Sequence, residues 1–273
     1  MNHEPRSDMA GNSRKRPTAL ITGASAGIGA ELAKVFAAHD HDVVLVARRR
    51  DALEALAGAL EGKHGITATV LVDDLGDPEA PERIFAAVRD ARIDIDVLVN
   101  NAGFGLGGEF SETPIEREIT MVQVNVTALM YLTKLFIAPM LKRRAGYVLN
   151  VASTAAFFPG PLQSVYYASK AFVLSFSQAV AEELAHSGIS VTCLCPGPTE
   201  TEFARVAGMK SVRLPNLDVA DAGDVAEFGY RAMLAGWRVA VPGARNKLVV
   251  QAQRFVPRRL IARAMRRMQR GRL

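Results

Sequence analysis

Thr18-Ala19-Leu20-Ile21-Thr22-Gly23-Ala24-Ser25-Ala26-Gly27-Ile28-Gly29 is the stretch from which the fold can be read. An apolar run without polar alternation leads straight into three glycines spaced G-x-x-x-G-x-G. The run reads as a strand buried on both faces. Gly23 allows a tight turn, Gly27 lets backbone approach a pyrophosphate, and Gly29 lets the next helix pack close to the sheet. A helix that starts there offers free N–H groups and the positive end of its dipole, aided by Ser25, Ala26 and Ile28. The plain alternative is a glycine-rich turn that holds no ligand.

Working outward, the same alternation recurs along the chain. Apolar runs at 42–47, 68–72, 97–100, 147–151, 190–195 and 238–241 are expected strands. Helical periodicity is expected over 28–39, 52–61, 81–90, 114–142, 166–186 and 222–235. Strands that alternate with helices imply right-handed parallel crossovers. The expected architecture is therefore α/β: a single doubly wound, Rossmann-like parallel sheet of about seven strands over residues 18–250. Residues 1–17 are expected to be a disordered leader, and 251–273 a basic amphipathic extension.

The second strand ends in Ala47-Arg48-Arg49-Arg50. A dinucleotide with a free ribose 2′-hydroxyl usually meets an acid about 20 residues past the glycines. A guanidinium there suits a 2′-phosphate. Arg48 is thus expected to select NADP(H), with Ser25 as a further donor. The alternative is a solvated helix start, expected of Arg50 at least.

Tyr166-Tyr167-Ala168-Ser169-Lys170 carries the acid–base chemistry. Tyr166 and Lys170 are one helical turn apart and share a face. A neighbouring ammonium favours phenolate and is expected to lower the tyrosine pKa. Ser153, at the end of the fifth strand, is placed to hold a substrate oxygen. Taken alone, a tyrosine and lysine at this spacing are common on exposed helices. Tyr166→Phe is expected to abolish turnover and Tyr167→Phe is not.

On these residues, with Asn100-Asn101-Ala102-Gly103, Asn125 and Pro196-Gly197, the chain from about 18 to 243 resembles the short-chain dehydrogenase/reductases. The resemblance implies an oxidoreductase interconverting a carbonyl and an alcohol by hydride transfer. It implies Tyr166 as general acid or base, Lys170 lowering its pKa and holding the nicotinamide ribose, and Ser153 orienting the carbonyl. Asn125 would fix a water that links Lys170 to solvent. Asn100, Asn101, Ala102 and Gly103 would support the sheet centre and the adenosine side, and Asp74 would meet the adenine amine. Pro196, Gly197, Thr199 and Thr201 would face the nicotinamide. A lid over about 199–215 would bring Phe203, Val206, Met209, Val212 and Leu214, with Phe104, Phe157 and Phe158 nearby. That lining favours a hydrophobic substrate. Homodimer or homotetramer formation through 114–142 and 166–186 is implied as well. Ala152 stands where the family often has a second, non-catalytic serine.

Composition limits the alternatives. The 273 residues are 49% hydrophobic and 22% charged, too apolar for a disordered chain. No uncharged apolar run approaches the roughly 18 residues of a membrane span. The net charge of +5 belongs to the ends. Residues 254–273 hold eight arginines and no acid, and residues 1–17 hold four basic residues against two acidic. Of 33 basic and 28 acidic residues, the body between keeps 21 and 26, which argues against nucleic acid as a partner. In the tail, Leu260, Ile261, Ala264, Met265 and Met268 fall at helical spacing. That stripe suits an anionic membrane surface, or packing on a partner or on the protein's own body. Cys193 and Cys195 are two apart on a strand, too far for an easy disulfide, and read as reduced thiols in a cytoplasmic protein. His39 and His41 read as a solvated turn, and no metal is expected. The competing function is a non-enzymatic NADP-binding sensor or scaffold with a membrane-associating tail.

Overall fold

The computed structural model describes residues 16–202, 207–208 and 219–270. Its strands are β1 (Thr18–Thr22), β2 (Asp42–Ala47), β3 (Ala68–Val72), β4 (Val97–Asn100), β5 (Gly146–Val151), β6 (Ile189–Leu194) and β7 (Val239–Ala240). All pair in parallel, in the order β3-β2-β1-β4-β5-β6-β7. The order reverses between β1 and β4, so a crevice opens beyond their carboxyl ends, where such sheets bind ligands.

The strands are apolar throughout because both faces are covered. Ala19, Ile21 and Leu45 point to one layer, with Leu32 and Phe36 of α1 (Gly27–Ala38) and Val225 of α7 (Ala222–Leu234). Leu20, Val44 and Leu98 point to the other layer. There they meet Ile84 of α3 (Ala80–Asp90) and Leu132, Phe136 and Met140 of α5 (Leu129–Arg143). Each of the larger of these fully buried side chains contributes about 1.5–3 kcal/mol. Helices α2 (Arg50–His64), α4 (Ile115–Val122) and α6 (Ser164–Glu183) complete the covering layers.

Three features depart from the expected elements. The run at 114–142 is not one α-helix: α4 and α5 are joined by a π-helical segment, Gln123–Ala128, that contains Asn125. Wider π turns of this kind recur at functional sites. The composite helix 115–143 is long and apolar enough to cross a bilayer by composition, yet Met121, Asn125, Leu132, Phe136 and Met140 are buried inside the protein. Second, an unexpected helix, α8 (Ala244–Ala252), follows β7 and runs across the expected boundary at residue 250. It turns only Val250 into the core, so no apolar period marked it. Third, the body begins before residue 18. Arg16 pairs with Asp40 at 2.6 Å, and Asp42 donates to the Pro17 carbonyl. The rest of the expected leader lies outside the described residues.

Candidate active site

Gly23 adopts φ +67°, and the turn it makes brings the glycine loop against β4. Asn101 clamps that loop by donating from Nδ2 to the carbonyls of Thr22 at 2.9 Å and Gly23 at 3.4 Å. The backbone N–H groups of Asn101 and Ala102 both donate to Thr22 Oγ1. A methyl group on Gly29 would sit 2.3 Å from the Gly23 carbonyl oxygen, so α1 packs as closely as a glycine allows. Ala26 at the N-cap offers no capping side chain, and the first turn of α1, which begins Gly27-Ile28-Gly29, has no acid. Its free N–H groups and positive dipole end fit an anionic ligand.

Cations flank this end. Arg49 donates to Ser25 through Nε to Oγ at 3.3 Å and through an Nη to the carbonyl at 3.0 Å, and it also pairs with Glu202. Arg48, the residue singled out from spacing, lies 3.6 Å from Asp74. Arg49 is therefore a phosphate-site candidate that spacing alone passed over. Arg50 opens α2 and pairs with Glu54. The Arg49 guanidinium beside Ser25, with Arg48 next to it in the chain, fits a dinucleotide carrying a 2′-phosphate.

Across the crevice, Ser153 ends β5 and caps a short 3-10 turn, Thr154–Phe157, accepting from Ala155 N–H. Its hydroxyl is hydrogen-bonded to the Tyr166 phenol and lies 3.4 Å from the Pro196 carbonyl oxygen. Tyr166 is 9% exposed and Lys170 is 5%. Burial pushes the phenol up to about 12, against the opposing pull of the Ser153 hydrogen bond. Burial pushes Lys170 down to about 8. In the free protein the lowering expected from Lys170 is opposed by this burial. The ammonium is 6.0 Å from the ring centroid and donates to the Val151 carbonyl instead, so desolvation wins in the free protein.

Asn125 is fully buried. Its Nδ2 donates to the Phe104 carbonyl and to Ser169 Oγ, and its Oδ1 accepts from Phe104 N–H. The side chain is committed to these three partners, which fixes the turn of backbone that carries Asn125 beside Lys170. It is a positioning residue that ties the 103–104 turn to the helix bearing Lys170. A methyl on Gly103 would lie 3.0 Å from Asn125 Oδ1 and 3.3 Å from Lys170 Nζ. Asn100 joins the sheet centre through Nδ2 to Thr133 and Asn150.

The chain after β6 returns over the crevice. The Pro196 carbonyl accepts from Thr154 N–H, and Thr199 Oγ1 donates to the Gly197 carbonyl. Thr201 comes to the glycine loop, its side chain 3.0 Å from where a Gly27 methyl would stand. Asn246 of α8, which no sequence signal marked, packs on Gly197 and donates to the Pro242 carbonyl. Phe203, Val206, Met209, Val212 and Leu214 lie outside the described residues. Phe104 and Phe158 pack against Tyr166 and Tyr167, whereas Phe157 packs in a neighbouring cluster. Cys193 and Cys195 are free and buried, with sulfurs 3.8 Å apart. His39 stacks on Tyr230 and His41 is buried beside Phe36.

The tail is α9 (Arg258–Arg270), and its apolar face turns onto the body. Ile261 and Gln269 are buried, and Met265 packs against the cluster that contains Tyr166. Of the expected apolar stripe, Ile261 and Met265 are taken up by the protein itself, whereas Leu260, Ala264 and Met268 stay exposed.

A family model described as short chain dehydrogenase matches residues 17–210. The chain is 39% identical over 191 residues to a serine 3-dehydrogenase of Agrobacterium fabrum, covering 69% of this chain and 74% of that protein. It is 37% identical over 189 residues to an NADP-dependent 3-hydroxy acid dehydrogenase of Salmonella typhi, covering 68% and 75%. Its structure is similar to that of a short-chain dehydrogenase from Sphingobium yanoikuyae in complex with NADPH. The TM-score is 0.80 at 35% identity, with 87% of this chain and 91% of that chain covered.

Proposed function

The chain belongs to the short chain dehydrogenase family, and on that premise we propose how its residues divide the work. It is an NADP-dependent oxidoreductase acting on alcohol and carbonyl groups. The α1 N-terminus, with Gly23, Ser25, Ala26, Gly27, Ile28 and Gly29, would hold the pyrophosphate. Arg48 and Arg49 would hold the 2′-phosphate, Asp74 the adenine, and Asn101, Ala102 and Gly103 the adenosine side. Pro196, Gly197, Thr199 and Thr201 would face the nicotinamide, and Lys170 its ribose. The cofactor supplies or accepts the hydride.

In reduction, Tyr166 holds the proton that the carbonyl oxygen takes up, and Ser153 donates a hydrogen bond to the same oxygen. A phenol held protonated well above neutral pH suits the acid role. The protein's share is positioning and charge stabilisation. The observation that carries this reading is the buried Tyr166 hydroxyl bonded to Ser153, with Lys170 one turn along α6. A panel of ketones, aldehydes and alcohols, followed by cofactor absorbance with NADPH and with NADH, tests it. NADPH-linked turnover is expected, with Tyr166→Phe lowering kcat about 10²–10⁴-fold while NADPH still binds. Undiminished turnover in that variant would refute the assignment.

We also propose that copies pair through α4 and α6. Ile119 is 62% and Phe172 38% exposed. Val122, Val126, Val165, Ala168 and Phe172 line an apolar groove of about 440 Å³ on that face. The unbonded Cys193 and Cys195 suit a reducing, cytoplasmic setting.

A further inference from the structure

Helix α9 is seated on the body by a definite face. Gln269, 1% exposed, donates from Nε2 to the Tyr167 hydroxyl at 2.7 Å, and Arg266 pairs with Glu109 at 2.9 Å. Ile261, Met265 and Gln269 recur every four residues, so the side chains that face the body form one stripe along the helix. The neighbouring stripe, Leu260, Ala264 and Met268, is also apolar and stays exposed. Beyond it runs a third stripe, Arg259, Arg263 and Arg267, which is exposed as well. The helix thus carries more apolar surface than the body covers, edged by a row of guanidinium groups.

The uncovered apolar surface continues past α9. Phe255, in the turn between α8 and α9, is 89% exposed, and Leu248 of α8 is 69% exposed. Val249 and Val256 are exposed too, and with Leu260 and Ala264 they line one open groove of about 390 Å³ between the two helices. Single apolar side chains scattered on a surface are ordinary, whereas a contiguous patch marks a contact surface. The charge of this region has one sign. Residues 244–270 hold eight arginines and Lys247, and residues 228–273 contain no aspartate or glutamate.

We propose that the outer face of α8, the turn at 253–257 and α9 is a docking surface for an anionic lipid bilayer. The protein would lie on the membrane with Leu248, Phe255 and Leu260 at the boundary between headgroups and acyl chains. Arg254, Arg259, Arg263 and Arg267 would reach the lipid phosphates, their aliphatic stems lying along the apolar surface. Charge and apolar exposure together select this partner. A second copy of the chain would set arginines against arginines, with no acid in 228–273 on either side to pair them. Nucleic acid would answer the guanidinium groups and leave the aliphatic side chains in water. A bilayer surface answers both. None of these residues belongs to the cluster around Tyr166, so the contact and the reaction can be tested apart.

The test is flotation of the full chain with vesicles of phosphatidylcholine, alone or mixed in equal parts with phosphatidylglycerol. Binding to the mixed vesicles is expected, with little to phosphatidylcholine alone, and rising salt should weaken it. Phe255→Ser removes the most exposed large apolar side chain among the described residues. It should lower the partition coefficient by about tenfold. Arg259→Gln, Arg263→Gln and Arg267→Gln combined should lower it by about a hundredfold, at about fivefold for each charge near the membrane. All four positions are exposed, and NADPH titration reports whether each variant is folded. Failure to float with the mixed vesicles would overturn the proposal and leave the oxidoreductase reading untouched. Equal binding to both kinds of vesicle would overturn it too, because the arginines would then contribute nothing. Binding that the arginine variant loses and Phe255→Ser keeps would assign the face to a polyanion such as nucleic acid. A Phe255→Ser variant that changes the oligomeric state, with vesicle binding at the parent level, would give the face to a second copy instead.

Discussion

Tyr166 and Lys170 sit one turn apart on α6, and burial drives their pKa values apart: the phenol up to about 12, the ammonium down to about 8. The consequence for stability has a definite sign. Between about pH 8 and the ordinary lysine value of 10.5, the unfolded chain binds a proton at Lys170 that the folded protein has released. Stability contributed by this residue therefore rises with pH across that window. Tyr166 acts oppositely above pH 10, where the folded protein keeps the phenol proton and the unfolded chain loses it. Urea unfolding of the free protein at pH 7.5 to 9.5 should show the lysine rise, and Lys170→Met should abolish it. An unchanged slope in that variant would assign the pH dependence elsewhere. At the other end of the crevice, Arg49 rather than Arg48 is the guanidinium that reaches Ser25. Arg48→Ala and Arg49→Ala should each raise KM for NADPH by about tenfold, the value of one charge-assisted contact, and leave KM for NADH nearly unchanged. Equal effects on both cofactors would remove the 2′-phosphate assignment.

Elements constrain the site through close approach. The start of α1 can lie against the glycine loop only because Gly29 has no side chain; a methyl there would meet both the Gly23 carbonyl oxygen and Asn101 Nδ2 within 2.4 Å. Gly29→Ala must shift the helix away from the loop that it completes. Thermal denaturation should show a loss of about 1–3 kcal/mol, accompanied by weaker NADPH binding than in the parent. Full stability and full binding would mean that the helix start is not the phosphate seat. The π-helical turn between α4 and α5 acts in a similar way. It carries the buried Asn125 to the Phe104 backbone and to Ser169, next to Lys170. Asn125 was legible as a position in a motif. Its clamp on Phe104 was not, because the partners are 21 residues apart and meet only when the helix widens there.

At the scale of the molecule, two apolar faces meet different fates. The face on α4 and α6 that includes Val122 and Phe172 remains exposed, whereas the inner face of α9 is covered by the body. Phe172→Glu places a charge at the centre of the exposed face, where burial would desolvate it without a partner. Sedimentation analysis should show the parent chain as an assembly and this variant as a monomer, the outcome expected of the pairing proposed for this face. An assembly that survives would move the interface elsewhere. The expected amphipathic tail is real as a helix, but its inward residues are Ile261, Met265 and Gln269, while Leu260 and Met268 remain substantially exposed. Periodicity identified an apolar stripe and left its partner open.

The sequence by itself determined the order of the strands and of most helices, the parallel sheet and the identity of the glycine, serine, tyrosine and lysine motifs. These follow from local pattern: continuous apolar runs, glycine at a turn, residues four apart on one helix. Only the tertiary structure decided which arginine meets Ser25, which way the pKa values move, where Asn246 lands and that Gln269 closes on Tyr167. Each of those depends on the distance between residues remote along the chain, or on how much water is removed around them. Neither quantity exists until the chain has folded.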